Sequence, residues 1–416
     1  MFKIIIFGAG QSLNPVLKSV VSKEIIQGLL DNSADKIGTI IDGMEIASPN
    51  EISHFQYDYV VIATLYYKMV EEQLEMLGVS KEQIILFYRE DIDFSQYKDI
   101  FDVEKAQWQS FHTRIDVQMK DFIKKQKIAM KNIEYEIAEN MLKEKYQFPT
   151  IISEKDTVEK IINEKLSVSR YGEGEFEIMA GHATDPYQID NKDLAQRLKE
   201  ILVSNVNKHI VAIAADYGNL QKYNESLQYG IRKYMTEETR EFHYSVLDMK
   251  KIYYNAYISR PYSIYKHEKT EEAVERFYLL KKIWEKQEIV FIEGTTTRMG
   301  VGNNLFDNAK SIERIIAPEK NAFHKYNKIL EAAKKFNKKK LFIIALGQTA
   351  TVLAYDLALA GFWAIDTGHM DLEYEWLLKG RGPTYIPNKY NNEVYGDEQV
   401  VEVDDAEYYN QIKIEI

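Results

Sequence analysis

Three acidic side chains fall at alternate positions in "SRYGEGEFE", residues 169–177: Glu173, Glu175 and Glu177 stand beside Arg170 and two glycines. Carboxylates this close repel one another, and a cation between them relieves the repulsion. In an extended chain, residues two apart face the same side. On that geometry Glu173 and Glu175 are expected to share a divalent ion. Hard oxygen ligands suit Mg2+ or Mn2+, which commonly bridge protein carboxylates to a substrate diphosphate. Arg170 offers a forked donor to phosphate or to one of these carboxylates. A solvated acidic turn is the competing reading.

Three further stretches carry groups of the same kind. "FIEGTTTRMGVGNNLFDNAKSIERIIAP", 291–318, follows a strand with a loop of threonines, Arg298, glycines and asparagines, Asn303 among them. It suits an anion or a polyol. In "ALGQTATVLAYDLALAG", 345–361, Gly347, Gln348 and Thr349 stand where a helix N-terminus meets a phosphate. A plain strand-to-helix turn competes with that reading. "AIDTGHMDLEYEW", 364–376, packs Asp366, His369, Asp371, Glu373 and Glu375 behind a strand. Histidine ligates metals or moves protons, and a carboxylate can act as general base on a hydroxyl. Together these groups meet the demands of glycosyl transfer from a nucleotide sugar. There a departing diphosphate gathers charge that a cation and an arginine stabilise.

The elements that must position them read as α/β. Residues 1–100 alternate strands ("KIIIFGAG", "KIGTIID", "YDYVVIAT", "QIILFY") with helices, one of them from about Tyr66 to Leu77. Residues 104–146 contain no glycine or proline. They repeat apolar residues every three or four positions, from Trp108 and Phe111 to Ile137, which predicts a long amphipathic helix or two in series. It would serve as a spacer, a docking surface, a packed element of its own domain or the interface of a homo-oligomer. From about 148 a second unit follows. Its expected strands are "KLSVSRYG", "HIVAIAAD", "EIVFIEG", "RIIAPE", "KLFIIALG" and "FWAIDTG", with helices near 191–204, 270–286 and 321–336 and an edge strand in the tail. Every polar cluster above lies at the carboxyl end of a strand, where open α/β sheets bind ligands. The expected architecture is two Rossmann-like parallel-sheet domains, 1–102 and 149–416, joined by a long helical segment, 103–148.

The Gly8-Ala9-Gly10 turn resembles the start of a dinucleotide fingerprint, but Leu13 stands where the third glycine belongs. Asp42 follows an expected strand at the place of a ribose-binding acid. A nucleotide-dependent oxidoreductase or epimerase is therefore the second reading of the chain. A non-catalytic scaffold built on the long helix is the third.

Composition narrows the class. The chain has 416 residues, 45% hydrophobic and 28% charged, with a net charge of −11, which argues against broad nucleic-acid binding. With no cysteine, disulfides, thiolate catalysis and zinc–sulfur sites are excluded. "MFKIIIFGAG" lacks the features of a signal peptide, so the expected location is the cytoplasm, free or peripheral to the inner face of the membrane through partners. The most apolar segment, 341–365, reads as strand, turn, buried helix and strand, and not as a transmembrane segment.

Residues from about 150 to 390 resemble the GT-D type glycosyltransferases, formerly a domain of unknown function, of bacterial glycan and glycoprotein assembly. The resemblance is carried by "SRYGEGE", "SRPY" at 259–262, "EGTTTRMGVGNNLFDNAKSIERIIAP", "ALGQTATVLAYDLA" and "DTGHMDLEYEW". The family's first motif is usually Asp-x-Glu. Here Glu173-Gly174-Glu175 keeps the charge and moves the first carboxylate out by one methylene. The resemblance implies a UDP-sugar donor, a Mn2+ or Mg2+ requirement and a glycan or glycoprotein acceptor. On it, Glu173 and Glu175 are expected at the metal and nucleotide, with His369 as a further ligand. Arg170 and Arg298 are expected at the diphosphate, and Gly347, Gln348 and Thr349 at phosphate or sugar. Asn303 and Arg260 are expected to contact the donor, with Tyr262 in the cleft, and Asp371 is expected as base with Glu373 behind it. Residues 1–100 are similar to small Rossmann-like domains fused to sugar-modifying enzymes, which implies no particular ligand.

Overall fold

The computed structural model describes residues 2–141, 147–182, 188–189, 191–265, 270–391 and 400–416. The chain divides into two compact units, Met1–Lys127 and Ile128–Ile416.

The first unit is built on strands β1 (Ile4–Phe7), β2 (Ile26–Leu30), β3 (Ile40–Ile41), β4 (Met44–Ala47), β5 (Tyr59–Ile62) and β6 (Ile84–Leu86). They lie in the order β3-β4-β2-β1-β5-β6, parallel except for the β3–β4 hairpin. Continuous apolar runs such as "IIIF" fit a sheet covered on both faces. The helix expected from about Tyr66 is found at Tyr67–Met76.

One expectation here is corrected. The second parallel strand is "IQGLL", and "KIGTIID" supplies only the two-residue arm of a hairpin. The hairpin turns at Asp42-Gly43, both at positive φ, as a two-residue Asp-Gly turn requires. Asp42 pairs there with Lys23 at 2.7 Å and stands at no ligand-binding strand end. Asp31, just beyond β2, instead accepts the Ala9 amide at 2.7 Å and pairs with Lys36 at 3.1 Å. The glycine turn thus already gives one of its amides to the protein.

A single helix runs from Val103 to Met141, as its unbroken apolar spacing predicts. Trp108, Phe111, Ile115, Met119 and Phe122 remain exposed on it. Among the described residues no helix is long and apolar enough to cross a membrane.

The second unit holds β7 (Thr150–Ile151), β8 (Ser167–Tyr171), β9 (His209–Ile213), β10 (Ile252–Asn255), β11 (Glu288–Gly294), β12 (Ser311–Ala317), β13 (Leu341–Ala345), β14 (Trp363–Asp366) and β15 (Ile412–Glu415). Their order is β15-β12-β11-β13-β14-β8-β9-β10-β7, with every pair parallel. All six strands expected in this unit are present, and the tail adds β15 at one edge. Side chains alternate between two cores, as strand geometry dictates. Leu341 and Ile343 of β13 pack with Phe277, Trp284 and Phe291. Phe342 and Ile344 pack with Leu353 and Leu357 of the helix Gln348–Leu359. Because all strands run the same way, their carboxyl ends share one edge, and the polar motifs collect there.

Candidate active site

A cleft of about 280 Å3 opens at this edge. Arg170 reaches it from β8, Gly294 from the end of β11, Met299 from the loop that follows, and Gly347 and Gln348 from the turn and helix start after β13. His369 comes from the turn after β14, Asp371 from the first turn of the helix Met370–Lys379, and Ser259 and Arg260 from the turn after β10. Motifs far apart in sequence, from Arg170 to Tyr390, therefore meet in one concavity, while Glu173, Arg298, Asn303 and Thr349 are not among its lining residues.

The pairing of Glu173 with Glu175 is corrected. The stretch is not extended: it is the helix Glu173–Ala180, with Gly172 as its N-cap. Residues two apart on a helix are turned by about 200°. Glu175 accordingly lines the cleft, while Glu173 lines a separate cavity. Glu175, at the third helical position, accepts the Gly172 amide at 2.7 Å, one half of a capping box. Burial pushes Glu175 up to about 7, with Asp366 adding to the rise and Arg170 opposing it. Among the described residues, no group of three His, Asp or Glu side chains is placed to hold a metal ion.

Arg170 is fixed from two sides. Its Nε and Nη2 donate to Asp366 Oδ1 at 3.2 and 2.9 Å, Nε also donates to the Asp366 carbonyl at 2.9 Å, and Nη1 donates to Ser259 Oγ at 2.6 Å. Asp366 is itself buried, so the pair forms a partly desolvated anchor, and Arg170 lines the cleft. At Gly347, φ 51° and ψ −147° open the turn into the helix Gln348–Leu359. Only glycine takes that backbone readily. Gln348 lines the cleft, whereas Thr349 is buried and is not among the lining residues.

Asp371 and Glu373 hold loops in place. Asp371 Oδ1 accepts the Gly300 amide at 3.0 Å and Asn303 Nδ2 at 2.9 Å, and its Oδ2 takes Lys389 Nζ at 2.6 Å. Both oxygens of the expected base are thus already bonded. Glu373 is fully buried and accepts the Tyr262 and Ser263 amides at 3.0 and 2.6 Å, with Arg260 at 3.5 Å. It shapes the "SRPY" turn, and through it the place of Arg260. Asn303 Nδ2 also reaches Glu375 at 2.7 Å, which ties it to the same buried network. Arg298 donates to the carbonyls of Asn388 and Val401 at 3.1 and 2.7 Å, and it is not among the residues lining the cleft. Those contacts tie it to the segments that bear Asn388 and Val401.

Several residues escaped the sequence reading. Lys389, fully buried between Asp371 and Glu375, has no local signal, because its partners lie 14 and 18 residues away. Ser259 sits in a motif that was noted, but its bond to Arg170 depends on the packing of β10 beside β9. Asp216 had a signal, a carboxylate directly after the apolar run of β9. It is buried, accepts from the Tyr257 hydroxyl at 2.5 Å, and is raised to about 6 by that burial.

Fold and cleft together define a class. A family model described as "Glycosyltransferase GT-D fold" matches residues 168–394, and this chain belongs to that family. A second model, "C2185-like, N-terminal", matches residues 1–85. The probable glycosyl transferase Gly of Streptococcus gordonii is 33% identical over 265 residues, 63% of this chain and 38% of that protein. Glycosyltransferase GlyD of Streptococcus pneumoniae is 31% identical over 277 residues, 66% of this chain and 34% of that protein. The chain thus spans little more than a third of the length of these curated relatives. A solved structure described as a new glycosyltransferase from Streptococcus sanguinis superposes with a TM-score of 0.61 at 31% identity, covering 65% of this chain and all of its own. Another, described as the highly conserved domain of unknown function 1792 with a distinct glycosyltransferase fold, gives 0.61 at 34% identity over 64% of this chain and 96% of its own.

Proposed function

We propose that this chain transfers a sugar from a UDP-sugar to a glycan or glycoprotein acceptor, with the donor seated in the cleft. The observation that carries the reading is convergence. Arg170, Arg260 and the amino end of the helix Gln348–Leu359 face one concavity at the carboxyl edge of the sheet. That is a preorganised set of donors for a departing diphosphate, and losing one such donor costs about 3 kcal/mol of barrier. Arg170 is the principal one, because Asp366 and Ser259 fix its orientation before substrate arrives. Asp371 and Glu373 act by setting the loops that bear Gly300 and Arg260. The choice of uridine rests on the family resemblance.

Metal dependence belongs to this reading in a restricted form. Among the described residues no three His, Asp or Glu side chains converge on one point, so the protein's share of a cation site would be one or two carboxylates. Mg2+ and Mn2+ carried on a diphosphate need only one or two protein carboxylates. In the cleft Glu175 would supply one, with His369 beside it, and the ion would offset charge on the leaving diphosphate. Calorimetric titration of UDP with Mn2+ and then with EDTA, on the wild type and Glu175→Ala, tests this. Binding that needs the metal and falls in the variant is expected. No UDP binding under either condition would remove the reading.

A further inference from the structure

The helix Glu173–Ala180 has a second cavity on its other side, of about 670 Å3, large enough for a disaccharide or more. Glu173 and Phe176 line it, while Gly172 and Glu175 line the cleft described above.

Part of its wall is aromatic. Phe176 stacks on His243 with ring centroids 3.7 Å apart and planes at 14°. His243 is buried, and both its ring nitrogens are bonded, Nδ1 to the Tyr217 hydroxyl at 2.8 Å and Nε2 to the Tyr234 hydroxyl at 3.0 Å. Tyr234 and Phe242 continue the lining. Glu177, Glu238 and Lys233 line the same cavity. Ring faces that meet C–H groups, among carboxylates and an ammonium that bond hydroxyls, are what a saccharide requires. Glu173, Glu177 and Glu238 face Lys233 and His182 here; burial pushes Glu173 up to about 7, and the carboxylates still outnumber the lysine, a balance that favours an uncharged ligand over a bare diphosphate.

We propose that this cavity is the acceptor site and holds an uncharged saccharide whose free hydroxyl reaches the donor cleft past Gly172. The inference rests on the glycosyl-transfer reading and adds the substrate class and its place. Gly230 on the opposite wall provides the means to test it. A β-carbon built there meets nothing within 4 Å, and its φ is not in the left-handed region, so Gly230→Trp fills the cavity without disturbing its helix.

The experiment is saturation-transfer NMR with a mixture of cellobiose, lactose, maltose and chitobiose on the full chain, with UDP titration as the control for fold and donor cleft. We expect at least one disaccharide to bind the wild type. Gly230→Trp abolishes that signal, and Phe242→Ala weakens it about tenfold, the effect of one lost ring contact. UDP affinity stays within about twofold in both variants, far below the tenfold that one lost contact gives. Disaccharide binding unaltered by Gly230→Trp, or absent from a wild type that binds UDP, overturns the proposal. A wild type that binds disaccharide in this cavity but not UDP leaves the sugar site standing and sinks the donor reading instead.

Discussion

Gly368 lies directly against Arg170: a β-carbon built on the glycine falls 2.1 Å from Nη2 and 2.9 Å from the guanidinium carbon. The glycine also holds φ +47°, in the left-handed region. Arg170 can therefore reach Asp366 only because residue 368 has no side chain. Gly368→Ala should cost about 3 kcal/mol, from the backbone penalty and the displaced charged hydrogen bonds. Gly380→Ala is the control, with φ +61° and nothing within 4 Å of its β-carbon. It should cost only the backbone share, about 1 kcal/mol. Urea denaturation of both variants compares them, and equal losses would mean that Arg170 does not need the space.

Lys389 carries the buried side of the network around the loop 299–303. Its Nζ lies 2.6 Å from Asp371 and 2.9 Å from Glu375, and its side chain is inaccessible to solvent. Removing one partner of a buried ion pair strands the other charge and typically costs about 3–5 kcal/mol. Lys389→Met should lose that much, and adding Asp371→Asn should recover part of it. Both are read from denaturation midpoints. A loss under about 1 kcal/mol would place this lysine with the surface pairs, where such values are the norm.

The sequence disclosed the frame better than the detail. β8, β9 and β11–β14 were legible because each is a continuous apolar run of β-branched and aromatic residues ending in a polar turn. β7 and β10 were not, since "TI" is too short and "IYYN" carries no clear period. "GEGEFE" was misread because two glycines and alternating carboxylates imitate a strand's period of two. The decisive signal, a glutamate three residues after an N-cap, was present in Glu175 and was outweighed. The clustering of motifs at strand ends was visible from local sequence. Which carboxylates are spent on loops was not, because the partners of Asp371 and Glu373 lie between 18 and 111 residues away.

The two roles given to Glu175, helix cap and cleft carboxylate, separate by substitution. Glu175→Gln keeps an oxygen for the Gly172 amide and loses the charge, while Glu175→Ala loses both. Stability should fall by about 1 kcal/mol in the alanine variant and by little in the glutamine one. Mn2+-dependent UDP binding should fall in both. If glutamine preserves that binding, the carboxylate serves the helix alone.

Acid sensitivity should reside in two buried histidines. Burial pushes His209 and His243 from 6.5 down to about 3, with Lys251 adding to the effect on His209. Among the described residues Nδ1 of His209 meets no hydrogen-bond partner, and Nε2 meets Ser169 Oγ at 2.9 Å. Between pH 6.5 and 3 the unfolded chain binds a proton at each site that the folded chain refuses, so stability falls as pH falls through that window. At pH 5 each histidine should have cost roughly 2 kcal/mol. Glu175 and Asp216 act in the opposite sense. Their folded values are raised to about 7 and 6, so their contribution is lost as pH rises through those values and regained on acidification. A wild-type titration alone therefore mixes both signs. The difference between wild type and His209→Gln isolates the imidazole, since the carboxylates are common to both proteins. The variant should be the less stable at pH 7.5, where packing decides. The gap should close by roughly 2 kcal/mol at pH 5. Denaturation curves at the two pH values measure it, and a gap independent of pH would show that His209 is protonated as readily folded as unfolded.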